Sequence, residues 1–326
     1  MKNVIYANAR ASSATRTLLG KERLFRIAEA ASAQEAVQIL AETGFGGGKT
    51  IDSPLDYETL IRAEEAALIA FVKEVSPSEK LTKFLLAEYD FHNAEAVMRA
   101  KYLKTDAAPM LAEEGLFFAE MLKEKIFADD YSSFPAPLAR ALRAADELFV
   151  SGKAEGRTIG SLFRRALYEE REKLAAKDAL LSSVASAKAD AANIAAAFRS
   201  RDFTETQKQF VPGGTLKGEE LKILCEETPE VIRDKFRFSK RKELVYAAAE
   251  DFSKSRPLVD FERLADGWAL KYLKAEKYND EGIRPFLSYF YYKTADAANV
   301  RIAMSCLLNG VAGAEIKERM REAYER

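Results

Sequence analysis

The chain has 326 residues, 48% hydrophobic and 31% charged, with 50 lysines and arginines against 51 aspartates and glutamates. Such a length buries a substantial core, divided into roughly two domains or one large repeated one, and such a composition excludes a disordered chain. A net charge of −1 supplies no global positive field for nucleic acid or anionic lipid. Cys225 and Cys306 have no CxxC neighbour, so zinc and dithiol redox chemistry are not indicated and a reducing compartment fits best. The opening Met1-Lys2-Asn3-Val4-Ile5-Tyr6 lacks the apolar core of a signal peptide, and no run of about 18 apolar residues spans a bilayer, so any membrane association is expected to be peripheral.

Taken in chain order, the elements read as helices. Residues 8–25 (NARASSATRTLLGKERLF) fit the tail of a helical unit, and Ala36-VQILAE continues as helix into the run Thr43 to Thr50. That run ends in Gly48-Lys49-Thr50, but a phosphate loop needs glycine where Thr43 stands and a strand before it, and GxGxxG would need glycine at Lys49. It reads instead as a glycine-rich helix terminus and loop, able to touch a partner. A helix begins near Leu60, Ser76-Pro77-Ser78 interrupts, and a long helix opens at Asp90. His92 is the single histidine, with no partner for a zinc triad or a Ser-His-Asp relay. Asp129-Asp130-Tyr131-Ser132-Ser133 approaches the DDxxD of helical diphosphate-binding enzymes, yet its fifth position is serine and it precedes Pro135 in a loop.

Leu180, Val184, Ala187, Ala191, Ile194 and Phe198 step four, three, four, three, four along one apolar stripe. Pro212-Gly213-Gly214 breaks the chain again. Lys235, Arg237, Lys240, Arg241 and Lys242 interleave with Phe236 and Phe238, a candidate contact for an acidic partner surface, set against a solvated helix end. Trp268 and the run Tyr289-Phe290-Tyr291-Tyr292 read mostly as core, with interface anchoring as the alternative, and the punctuation from Asp280 to Pro285 separates them. Strand-like alternation is nearly absent, so the fold class is all-α.

One helix recurs three times: DFHNAEAVMRAKYL from Asp90, DAANIAAAFRSRDF from Asp190 and DAANVRIAMSCLLN from Asp296. Each copy has asparagine three residues on, giving the pairs Asp90/Asn93, Asp190/Asn193 and Asp296/Asn299, and each has apolar residues one, four and eight positions after the aspartate. A second helix begins near Leu60, Leu162 and Leu264, and a glycine turn at Gly115, Gly214 and Gly310 leads into a further amphipathic stretch. Helical repeats are expected over residues 1–103, 104–203 and 204–326, each sharing segments with its neighbours. The Asp/Asn pairs serve as structural markers: side by side on a helix face they are placed to hydrogen-bond a neighbouring segment. The rival, a hard-cation site, needs convergent carboxylates, whereas these lie about a hundred residues apart. No catalytic, cofactor or metal residue is singled out.

In order and spacing, Tyr6 to Leu19, Ser32 to Gly47, Asp90 to Leu103 and Ala295 to Gly310 resemble the C subunit of V/A-type rotary ATPases, similar to the d subunit of the eukaryotic V-type enzyme. The likeness covers essentially the whole chain. It departs in the third copy, where Met98-Arg99 and Phe198-Arg199 give way to Met304-Ser305, so the arginine is not required of every bundle. The resemblance implies three helical bundles with approximate threefold pseudosymmetry, forming a funnel-like body without catalytic residues. It implies a place in the central stalk on the cytoplasmic face, with axle and membrane rotor-ring subunits as partners, and torque transmission for proton or sodium transport or ATP synthesis. Membrane association would then be indirect, through the ring. The alternatives are a helical scaffold for another protein, against which the 100- and 106-residue spacings speak, and an all-α enzyme.

Overall fold

The computed structural model describes residues 3–254, 257–274 and 282–325, and every regular element among them is helical. In chain order the α-helices are α1 Val4–Ala14, α2 Gly20–Ala28, α3 Ala33–Thr43, α4 Glu58–Val75, α5 Glu79–Leu103, α6 Ala119–Phe127, α7 Ala136–Val150, α8 Gly156–Ala175, α9 Ala179–Ser200, α10 Phe203–Thr206, α11 Gly218–Glu226, α12 Pro229–Lys235, α13 Lys242–Ser253, α14 Val259–Lys274, α15 Arg284–Leu308 and α16 Gly313–Arg319. Of the punctuation expected between Asp280 and Pro285, Asp280 and Glu281 lie outside the described residues. No helix among the described residues is long and apolar enough to cross a membrane.

The ends follow local chemistry. Ser32 caps α3 by accepting from the Glu35 amide at 3.2 Å, which satisfies an orphan donor of the first turn, while the Glu35 carboxylate reaches back to accept from the Ala31 amide just before the helix. Gly44 ends the same helix at φ +75°, the left-handed conformation that favours glycine. Asp178 caps α9 through the Leu181 amide at 3.0 Å, and proline occupies the first turn of α7, α12 and α15, where no N–H is needed.

The chain forms two compact units, Glu79–Ser255 and Met1–Ser78 with Arg256–Arg326. In the first, α8 lies against α5, α7 and α9. Its core joins Phe91, Ala94 and Met98 of α5 to Leu122 and Ile126 of α6, Leu138 and Leu142 of α7 and Phe163 of α8. Each large apolar side chain buried there stabilises by about 1.5–3 kcal/mol. On the far side of α8, α9 packs against α11 and α13. In the second unit α15 is the hub, touched by α1, α2, α4, α14 and α16, and Val300, Ala303 and Met304 meet Leu24, Ile27, Ile39, Leu40, Leu60, Ile61 and Ile316. The N-terminal segment thus packs on the helix of the third Asp/Asn pair.

Candidate functional site

The Asp/Asn pairs sit on the three long helices α5, α9 and α15, all six side chains buried. The apolar positions one, four and eight residues after each aspartate are buried as well: Phe91, Ala94 and Met98; Ala191, Ile194 and Phe198; Ala297, Val300 and Met304. Each asparagine uses both ends of its amide on one stretch of backbone. Asn93 accepts from the Ala112 amide at 2.8 Å and donates to the Glu113 carbonyl at 3.1 Å. Asn193 accepts from and donates to Val211, at 2.8 and 3.0 Å. Asn299 does the same with Arg321, at 2.6 and 3.2 Å.

The aspartates grip a second stretch. Asp90 Oδ1 accepts from the Leu116 and Phe117 amides at 2.7 and 3.1 Å, and Asp190 Oδ1 accepts from the Thr215 and Leu216 amides at 2.7 and 3.0 Å. Gly115 and Gly214 immediately precede these donors, and a Cβ on either would collide with the carboxylate oxygen. The glycine is needed there for space. Asp190 gains two further donors, the Thr215 hydroxyl at 2.6 Å and the guanidinium of buried Arg241 at 2.7 Å.

Asp296 is differently furnished. Its Oδ2 accepts from the Leu19 amide at 2.9 Å, whereas Oδ1 is buried with no hydrogen-bond partner among the described residues. The preceding amide, Leu18, donates to Thr15 at the end of a 3₁₀ turn, and Thr17 occupies the place of the glycine. Gly310, the third glycine of the sequence pattern, instead follows the end of α15 at φ +70° with open space around it. Lys293, whose charge acts on Asp296, is itself bound at 2.5 Å to Glu64, which also accepts from the Gly46 amide at 2.6 Å. Burial with so little compensation pushes the Asp296 carboxyl up to about 7, against the pull of the Leu19 amide and Lys293.

Of the basic segment, Lys235, Arg237, Lys240 and Lys242 are exposed. Arg241 is the correction: it is 3% exposed and spent on Asp190, so it offers no surface to a partner. Phe238, 88% exposed, lies beneath the Arg237 guanidinium at 4.8 Å. The glycine-rich loop is structural at Gly46, whose φ of +82° and close approach to Leu60 leave no room for a side chain. Its amide is directed at Glu64 and not at an open cradle. Asp129 binds Lys101, and Asp130 binds Lys125 at 2.6 Å and the Ser132 hydroxyl at 2.6 Å. Exposed His92 meets the Met110 carbonyl at 3.0 Å. Tyr289, Phe290, Tyr291 and Tyr292 are buried, as is Trp268, under Lys271 at 4.7 Å.

A family model described as ATP synthase (C/AC39) subunit matches residues 7–319. The chain belongs to this family. Among relatives, the C subunits of the V-type ATP synthases of two Thermus thermophilus strains are 29% identical over 180 residues, 54% of this chain and 50% of the relative. In that match the chain spans half of the relative's length. The C subunit of the V-type sodium ATPase of Enterococcus hirae is 21% identical over 290 residues, 83% of each chain.

This family member also carries a cleft of 1040 Å³ over α8, between α5 and α9. Arg99 and Arg199, nine residues beyond the first and second aspartates, both line it, while Ser305 at the corresponding position lines a separate 320 Å³ cleft beside Arg301. Sequence reasoning noted the Arg99/Arg199 correspondence but missed Arg157, Arg164 and Arg171. Their seven-residue spacing on α8, with Gly156 and Gly160 among them, was the readable signal.

Proposed function

We propose that the chain is a non-catalytic coupling subunit of a V/A-type rotary ATPase, joining the axle of the soluble ATPase head to the membrane rotor ring. It passes torque between them, for ATP-driven proton or sodium transport or for ATP synthesis. The observation that carries this reading is the family match over residues 7–319, supported by the E. hirae relative's match over 83% of both chains.

The task is mechanical, and the clasps suit it. Each binds a long helix to two backbone stretches through buried or partly buried hydrogen bonds, so relative sliding would break several of them at once. On this reading the three repeats, over residues 1–103, 104–203 and 204–326 with shared segments, are bundles about an approximate threefold axis. Asp90/Asn93, Asp190/Asn193 and Asp296/Asn299 are their common staples. The subunit sits peripherally on the cytoplasmic face, held to the membrane through the ring, and the exposed residues Lys235, Arg237, Lys240 and Lys242 contribute to a partner contact.

The test is co-expression with the axle and ring subunits of the same complex, followed by detergent extraction and affinity purification. The chain should co-purify with both and show no ATPase activity alone. Recovery of neither subunit with a folded chain refutes the reading.

A further inference from the structure

We infer that the cleft over α8 is the seat of an acidic α-helix from a partner subunit. This rests on the coupling-subunit reading above and adds a surface and a partner chemistry to it. The cleft is lined by Arg99, Arg157, Arg164, Arg171 and Arg199 against only Glu88 and Glu95, a local positive excess on a chain of net charge −1. Arg171 is 6% exposed and pairs with Glu88 at 2.7 Å, and Arg99 pairs with Glu95 at 2.6 Å while donating to the Gly156 carbonyl at 2.9 Å. Arg157 and Arg164 are exposed and form no ion pair among the described residues. These two cations therefore remain for something that enters the cleft.

Its dimensions select a helix over a small anion. The lining runs along α8 from Gly156 to Arg171, on α5 from Glu88 to Arg99 and on α9 from Ala192 to Ser200. At 1.5 Å per residue the α8 floor is roughly 22 Å long, about four helical turns. Arg157 and Arg164 lie seven residues apart, the interval at which a helix laid along α8 would present glutamates or aspartates on one face. Where a helix backbone would have to come close, the walls are small: Gly156, Gly160, Ser161, Ala192, Ala195 and Ala196. Gly156 opens α8, whereas Gly160 lies inside it, where glycine weakens a helix, a cost that close packing explains. A Cβ on either would lie 3.6–3.7 Å from the Arg99 guanidinium, in ordinary contact, so room for Arg99 does not account for both. The occupant is thus an acidic helix packed through small residues and held by charge.

The test uses the full chain with purified axle and ring subunits. The exposed double substitution Arg157→Glu with Arg164→Glu should weaken association with the acidic partner by at least about tenfold. Its thermal midpoint should stay unchanged, and wild-type association should weaken steeply with salt. A photo-crosslinker placed at Ser161 should join a partner helix of net negative charge. Unaltered association of the double variant, or a crosslink to a basic or neutral segment, overturns the inference while leaving the coupling reading intact. Displacement of the partner by micromolar tripolyphosphate or single-stranded RNA that itself crosslinks at Ser161 overturns it in favour of a polyanion site. A wild-type chain that holds no subunit at all refutes both.

Discussion

The Asp190 and Asp296 clasps are written with almost the same letters, DAANIAAAF and DAANVRIAM, yet the fold surrounds them differently. Asp190 receives two amides, a hydroxyl and a guanidinium; among the described residues Asp296 receives one amide and keeps an oxygen with no donor. The first is a satisfied buried ion pair and the second a carboxyl that burial drives towards neutrality. A motif therefore specifies which helix face is clasped, and the segment it meets decides the charge state and the energy.

The sharpest way to break this comparison is to delete each carboxylate. Asp190→Ala leaves Arg241 buried without its partner and should cost about 3–5 kcal/mol in chemical denaturation, with faster hydrogen exchange at the Thr215 and Leu216 amides. Asp296→Asn should be neutral or stabilising at pH 8, since it removes an ill-compensated charge. Equal losses in the two variants would show that the clasps are energetically alike.

Next in size is the pH dependence of Asp296. Its folded value of about 7 lies above the usual carboxylate value of about 3.9, so between these the native state holds a proton that the unfolded chain has released. Stability contributed by this group is therefore highest at low pH, falls as pH rises through the interval and levels off above it, by on the order of 4 kcal/mol. Denaturation midpoints of the wild type and of Asp296→Asn should converge at pH 4 and separate by pH 8. Parallel curves would contradict the raised value.

A smaller effect is expected at the glycines. Gly115→Ala and Gly214→Ala push a methyl into the clasping carboxylate and should each cost about 1–2 kcal/mol by overpacking, read as a lower urea midpoint. Smallest of all, Phe238→Ser on the exposed basic loop should alter stability by less than about 0.5 kcal/mol, because an 88% exposed ring contributes almost nothing to the core.

The all-helical class, the three marker helices and their buried faces were legible in the sequence because helical periodicity and side-chain polarity are local properties. The inward-facing residues Phe91, Ile194 and Val300 follow from spacing alone. So do the glycine turns at Gly115 and Gly214, since a tight approach to backbone leaves its mark in residue type. The pairing of Leu19 and Arg321 with the Asp296 helix, the burial of Arg241 and the gathering of Arg99, Arg164 and Arg199 into one cleft were decided only by the tertiary structure. Each brings together groups distant along the chain, and whether a charge is solvated, paired or stranded depends on what the fold sets opposite it.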